Sequence, residues 1–297
     1  MNGAPRLSVS IPTHNNLEVL RECLACWQRQ SDGLGVEIIV VEDGCTDGTP
    51  QYLDELTTSE WGKRCLRWFH EDDVHELRCT NRGLREARAP LVAAWQDDMF
   101  IRKRWFVREL LASFDACADL GMLALSRGLL FHHSDKPIVC WEDLVAWARV
   151  QSTLGQGVMN WLRLTEVDGV VRPWVVRRAC LDKTGLLDEA FVPTEWDESD
   201  LCYRIRAAGW KVAVHGYERL GAYEHLGSAT LGQLSEKYKQ RVLKNGRVFF
   251  ERWGTQVRAE EGRVRKTWPR PAVLGGLAGT CSRMLRFGLR RLMGGRS

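Results

Sequence analysis

The sequence predicts an α/β protein with an open sheet and helices on both faces, and three observations carry that expectation. Strand-like runs and helix-period segments alternate in βαβαβαβ order over residues 1–100. Val36-Glu37-Ile38-Ile39-Val40-Val41 is largely β-branched, as in a strand covered on both sides. Acidic clusters stand at the ends or starts of separate elements: Glu42-Asp43, Asp97-Asp98 and Asp197-Glu198-Ser199-Asp200. Ligands of open α/β sheets bind beyond the carboxyl ends of strands, so these clusters mark candidate site positions.

Taken in order, Leu7 to Ile11 alternates and stops at Pro12, as a strand entering a loop does. Leu17, Leu20, Cys23, Leu24 and Trp27 recur at helical spacing. After the Val36–Val41 strand, Asp43-Gly44 opens a turn in which Thr46 or Asp47 can cap a helix reaching about Leu56. Leu66 to Phe69 reads as a third strand, Asn81 to Arg88 as a helix and Leu91 to Trp95 as a fourth strand. Beyond Phe100 the pattern predicts a helix over Trp105–Phe114 and a strand within Met122–Leu130. A strand interrupted by Pro173 follows over Val170–Val176, then a helix over Leu201–Ala208 closed by Gly209 and a last strand over Lys211–His215. No internal repeat or low-complexity linker separates the halves, so one continuous sheet is expected.

The chain has 297 residues, 44% hydrophobic and 27% charged, which suits a globular protein with a substantial core. There is no charged-then-apolar leader and no apolar run of membrane-spanning length, so a cytoplasmic location is expected. Ten cysteines without a second C-x-x-C to match Cys23 and Cys26 are read as reduced thiols rather than a zinc site. Between Gly262 and Ser297 nine basic residues occur with no acid, so of the net charge of +4 about −5 is left for the remainder. A mildly acidic body argues against nucleic acid as a partner. From Leu274 to Leu292 an apolar stripe faces Arg283, Arg286 and Arg290, a pattern suited to a membrane surface or a partner. Peripheral association with the inner face of the cytoplasmic membrane is therefore an expectation.

Carboxylates gathered at strand ends can read a ribose, hold a divalent cation and take up a proton, a combination suited to sugar transfer from a nucleotide donor. No P-loop and no dinucleotide G-x-G-x-x-G occurs. A nucleotidyltransferase on a related sheet, or a non-catalytic nucleotide-sugar-binding protein, is an alternative reading.

Longer motifs sharpen this. Ser10-Ile11-Pro12-Thr13-His14-Asn15, Val40-Val41-Glu42-Asp43-Gly44 and Asn81-Arg82-Gly83 occur in order, followed by Gln96-Asp97-Asp98 at a D-x-D position. Leu187-Asp188-Glu189-Ala190-Phe191, Asp197-Glu198-Ser199-Asp200-Leu201 with Arg204, and His225-Leu226-Gly227-Ser228 complete the series. The set, spanning roughly Leu7 to Thr230, resembles the family 2 glycosyltransferases. That resemblance implies a GT-A fold, a Rossmann-like open mixed sheet, and metal-dependent, inverting transfer from a UDP- or dTDP-linked sugar to a glycan or lipid-linked acceptor. The expected organisation is a nucleotide-sugar half at 1–100, an acceptor and catalytic half at 101–235 and a helical basic extension at 236–297.

Carried onto this chain, the resemblance implies donor contacts at Pro12, Thr13, His14, Asn15, Glu42, Asp43, Asn81, Gln96 and Asp97. Asp98 and His225 are the implied ligands for Mn²⁺ or Mg²⁺, hard cations that take oxygen donors. Glu198 at a helix start is the implied general base, with Asp197 as the alternative. Trp174 and Trp196 offer ring faces for an acceptor sugar. Arg78, Arg82, Arg177 and Arg178 are candidate phosphate contacts. Two positions depart from the family pattern: Gln96 replaces the first acid of D-x-D, and the acidic pair runs Asp197-Glu198.

Overall fold

The structure is a computed structural model that describes residues 4–31, 33–132, 134–135, 137–140, 142–144, 148–152, 163–218, 220–227 and 236–270. Its first part runs β1 (Leu7–Thr13), α1 (Leu17–Ser31), β2 (Val36–Asp43), α2 (Thr49–Thr58), α3 (Glu60–Cys65), β3 (Leu66–Glu71), α4 (Glu76–Glu86) and β4 (Leu91–Ala94). There follow β5 (Met99–Ile101), α5 (Phe106–Ala116), β6 (Leu120–Ala124), β7 (Arg127–Phe131), β8 (Ala148–Ser152), β9 (Arg163–Glu166), β10 (Gly169–Val170) and β11 (Trp174–Arg177). The last part is α6 (Arg178–Thr184), α7 (Asp197–Ala207), β12 (Lys211–Val214), β13 (Tyr223–His225), α8 (Glu236–Ala259) and β14 (Thr267–Pro269).

Nine strands form one mixed sheet in the order β14-β9-β12-β6-β11-β4-β1-β2-β3. β1 pairs in parallel with β2 on one side and β4 on the other. The chain thus builds outward through β2 and β3, then returns to the far side of β1, which makes the β1/β4 boundary the topological switch point. β11 is the antiparallel insertion between β4 and β6. Its register, Trp174 opposite Ala94, brings the start of β11 to the carboxyl end of β4.

Alternation along β2 explains why its run is continuously apolar. Ile38 and Val40 enter one core with Leu20, Leu24 and Trp27 of α1, while Ile39 and Val41 enter the other with Leu77 and Leu84 of α4. On β1, Leu7, Val9 and Ile11 take the first core, which leaves Ser8 and Ser10 facing α4. There the helix approaches so closely that a Cβ on Gly83 would lie 1.9 Å from Ser10 Oγ. Gly83 is the residue that lets α4 seat against β1, a physical reason for glycine in Asn81-Arg82-Gly83.

Several elements differ from expectation. α4 begins at Glu76, not Asn81. The Met122–Leu130 segment divides at Ser126, because β6 joins the large sheet while β7 joins a separate sheet with β8 and β10. Val170–Val176 likewise splits, β10 and β11 belonging to different sheets on either side of Pro173, which has no N–H to donate. Asp47 caps twice over: one oxygen accepts from Thr49 N at 3.2 Å and the other from Leu17 N at 2.8 Å, tying α2 to α1. The nine cysteines among the described residues are free, with Cys23 and Cys26 buried on α1.

Among the described residues of the C-terminal extension, α8 is the helical part, and β14 after it pairs antiparallel with β9. Arg265 grips Asp168 through two bonds of 2.6 and 2.8 Å, Arg263 reaches Glu166 at 2.7 Å, and Lys266 pairs with Asp119. Arg270 pairs with the fully buried Glu109. These four basic residues are engaged with body carboxylates. Residues 271–297, with the stripe from Leu274 to Leu292 and Arg283, Arg286 and Arg290, lie outside the described residues. No helix among the described residues is long and apolar enough to cross a membrane.

Candidate active site

A cleft of about 340 Å³ opens at the switch point. The end of β1 supplies Pro12 and Thr13, the loop after it His14 and Asn15, β2 supplies Asp43, and the segment after β4 supplies Gln96, Asp97 and Asp98. Eight predicted donor and metal residues therefore share one concavity. Asn16, Glu76 and Cys79 complete its lining.

Backbone and side-chain bonds fix the wall of the cleft. Asn15 takes a left-handed conformation, φ 47°, and its side-chain oxygen accepts from Thr46 N at 2.8 Å. A His14 ring nitrogen contacts Asp43 O. The Asp43 carboxylate accepts from Val74 N at 2.6 Å and His75 N at 3.0 Å, orienting the start of α4. Glu42, 1% exposed, accepts from Cys45 N at 2.8 Å and pairs with His70. It braces the turn from behind and is absent from the cleft lining. Asn81 is likewise a clamp: its amide nitrogen donates to Leu187 O at 2.8 Å and its oxygen accepts from Leu187 N at 3.0 Å. Both of its polar functions join α4 to the segment leading toward α7.

At the floor, Thr13 Oγ1 donates to Asp97 Oδ2 at 2.7 Å. Burial pushes the Asp97 carboxyl up to about 6, with the Thr13 bond acting against it. Asp98 is buried, and its Oδ1 lies 3.3 Å from His225 Nε2. Pairing of β13 with β5 sets His225 opposite Met99, and Leu226 N donates to Asp98 O at 3.0 Å. A carboxylate and an imidazole converging in this way fit a divalent cation with some affinity for nitrogen. A second group, His14, Asp43 and Asp73, has ligand atoms within 4.8 Å of one another. Two of its members already bond backbone groups of the wall.

Asp197 and Glu198 begin α7, directly after Glu195 and Trp196, which both hold positive φ, 82° and 72°. That unusual pair is secured from α8. Tyr238 donates to Glu195 at 2.8 Å, and the buried Asn245 donates to Phe191 O at 2.8 Å and Thr194 O at 3.0 Å. Trp196 stacks on Phe131 with ring centroids 5.7 Å apart and stays partly exposed. Trp174 is fully buried in the sheet, with no ring face open to an acceptor, and its indole nitrogen lies 3.4 Å from Glu198 Oε1. Asp200 is occupied by Arg204 at 2.7 Å, Arg252 at 2.7 Å and Trp253 at 2.9 Å, a purely structural set of partners.

One buried guanidinium joins the two halves of the site. Arg172 Nε donates to Glu198 Oε1 at 2.7 Å, and Nη1 donates to Glu76 Oε1 at 2.5 Å. Its Nη2 lies 3.6 Å from Asp197 Oδ2. Asp197 is fully buried, and neither of its carboxyl oxygens has a hydrogen-bond partner among the described residues. Burial and then the Glu198 charge raise its pKa well above the ordinary carboxylate value, with Arg172 opposing.

The sequence reading missed Glu76 and Arg172. Glu76 sits in the segment read as loop before the helix, and Arg172 precedes a proline inside what reads as one strand; only the antiparallel insertion of β11 brings them together. The four arginines considered for phosphate contact all bond protein groups. Arg177 and Arg178 donate to the carbonyls of Leu120 and Ala87, Arg78 pairs with Glu189, and Arg82 pairs with Glu71.

Comparison with known proteins agrees with this geometry. The model of glycosyl transferase family 2 matches residues 8–124. An uncharacterized protein of Sinorhizobium fredii, y4gI, is 22% identical over 268 residues, covering 86% of this chain and 28% of that protein. The chondroitin synthase of Escherichia coli is 30% identical over 119 residues, covering 39% of this chain and 17% of that protein. The chain thus spans less than a third of the length of either curated relative. Among solved structures, TarS 1-349 of S. aureus superposes with a TM-score of 0.51 at 16% identity, over 84% of this chain and 72% of that one, a likeness of fold. With its motifs in order around a cleft at the switch point of a mixed sheet, residues 8–124 match the family 2 glycosyltransferases, and the chain has a fold of the GT-A type.

Proposed function

We propose that the chain moves a sugar from a UDP- or dTDP-linked donor to a hydroxyl of a glycan or lipid-linked acceptor, with a divalent cation and inversion at the anomeric carbon. The observation that carries this reading is the convergence of Thr13, Asp43, Asp97 and Asp98 in one cleft whose edge, Glu76, is tied through Arg172 to Glu198.

In this reading the Pro12–Asn15 wall and Asp43 bind the nucleotide, and Gln96 and Asp97 orient the ribose and diphosphate. Asp98 and His225 hold Mn²⁺ or Mg²⁺, which when bound offsets the charge of the departing diphosphate without proton transfer. Glu198 accepts the proton of the acceptor hydroxyl as the new bond forms on the face opposite the leaving group. Asp197, with its raised pKa, retains its own proton more firmly than an ordinary carboxylic acid, which favours Glu198 as the base. Trp196, partly exposed beside α7, is the acceptor contact, with Trp174 behind it holding Glu198.

The test is a thermal-shift series with UDP-, GDP-, dTDP- and CMP-sugars, with and without Mn²⁺, followed by a transfer assay with the donor that stabilises the fold. Stabilisation by one donor that depends on Mn²⁺, together with transfer, is the expected result; no response to any donor overturns the reading. The reading extends to a cytoplasmic, peripheral membrane location, supported by the amphipathic sequence of 271–297 and tested by co-sedimentation of the full chain with anionic vesicles.

A further inference from the structure

We propose that Arg172 is a positioning residue that couples donor binding to the acceptor base, its one guanidinium being divided between Glu76 at the donor cleft and Glu198 at the start of α7. The inference rests on the reading of Glu198 as the base. Its geometry is specific. Nε and Nη1 point to two different carboxylates at 2.7 and 2.5 Å, and Nη1 also donates to Thr80 Oγ1 at 3.3 Å. Among the described residues Nη2 makes no hydrogen bond, and it faces the Asp197 carboxyl, whose oxygens make none either. The Arg172 side chain is only 6% exposed, so its charge acts with little screening.

A guanidinium is a rigid planar fork, so a movement that improves its hold on one carboxylate alters its aim at the other. Glu76 lines the donor cleft and is also reached by Gln96 Nε2 at 3.3 Å, the residue standing in place of the first D-x-D acid. A bound donor that engages Gln96 or Glu76 therefore changes the share of Arg172 left for Glu198. The amide at Gln96 fits this arrangement, because it donates to Glu76 where a carboxylate would repel it.

Arg172, Asp197, Glu195 and Cys202 are the titratable groups that interact with Glu198, Glu76 being linked to it through Arg172, with the indole of Trp174 as its neutral neighbour. The experiment is the pH profile of kcat at saturating donor and Mn²⁺ for Arg172→Gln, Arg172→Lys, Glu76→Gln and Glu198→Gln. Arg172→Gln removes the cation and is expected to move the acid limb up by about one pH unit. Glu76→Gln removes a competing anion and is expected to move it down. Arg172→Lys keeps the charge but not the fork, so the limb stays near that of the parent while kcat falls about tenfold or more.

A purely structural role would lower thermal stability and leave the limb of the surviving activity in place. Glu76→Gln alters a side chain 36% exposed and carries the test even if the Arg172 variants fail to fold. Coincident limbs in the folded variants, with Glu198→Gln inactive, overturn the coupling while sparing the base assignment. Normal transfer by Glu198→Gln overturns the base assignment, and the inference with it.

Discussion

His225 Nε2 lies 3.3 Å from Asp98 Oδ1, and the antiparallel pairing of β13 with β5 brings the two together. One residue comes from the loop after β4 and the other from a three-residue strand far along the chain. Asp98 lines the cleft and His225 reaches it from outside that lining, and their contact underlies the first prediction.

Asp98→Ala is expected to abolish Mn²⁺-dependent thermal stabilisation by donor and to lower turnover more than about 100-fold, since even groups one step behind a metal ligand are worth 10–100-fold. His225→Ala should raise the Mn²⁺ concentration needed for half-maximal activity. Titration of activity against Mn²⁺ checks both, and an unchanged metal requirement in the two variants removes them as ligands.

Glu198→Gln keeps size and hydrogen bonding but cannot accept a proton. Transfer should fall by about 10²–10⁴-fold with donor binding retained. Measuring the donor Kd beside kcat separates this from a collapsed site, in which both would fail.

Asp197→Asn tests the alternative base and carries a pH signature. Asp197 has a raised folded pKa, so its contribution to stability is complete below the unfolded value of about 3.9 and is lost as pH rises through the folded value. The Asn variant lacks that loss, so its stability relative to the parent should improve as pH rises above about 3.9 while transfer persists. Urea midpoints across the range give the answer; a difference that stays flat with pH shows that Asp197 is not held with a raised pKa.

Arg270→Met leaves the fully buried Glu109 without its cation and is expected to cost about 3–5 kcal/mol in urea unfolding. Replacing both partners, Glu109→Leu with Arg270→Met, should recover most of the loss. Failure of the double variant to recover would mean that Arg270 acts chiefly through its stacking on Trp105, where the guanidinium carbon lies 5.2 Å from the ring centroid.

The first half of the fold was readable because its determinants are local. A parallel strand covered on both faces needs a continuous apolar run, and Val36–Val41 has one; a helix seated on β1 needs a small residue, and Gly83 provides it. Short strands were harder. β5, β13 and β14 have three residues each, too few for a period to stand out, and they exist through pairing with distant partners. The residues after Gly262 show in sequence only as a basic run without acids, and it is the fold that gives Arg263, Arg265, Lys266 and Arg270 their counter-charges in β9 and its flank, Asp119 and α5.

By itself the sequence determined the class of fold, the order of the motifs and the acidic residues that line the cleft, since periodicity and turn chemistry act over a few neighbours. Tertiary structure alone decided which side chains line the cleft and which stand behind it. Glu42 and Asn81 turned into supports, Trp174 was sealed in the core, and Arg172 joined Glu76 to Glu198. The reason is physical: a side chain's role depends on burial and on partners far away in the chain, and these arise only once β11 inserts antiparallel beside β4.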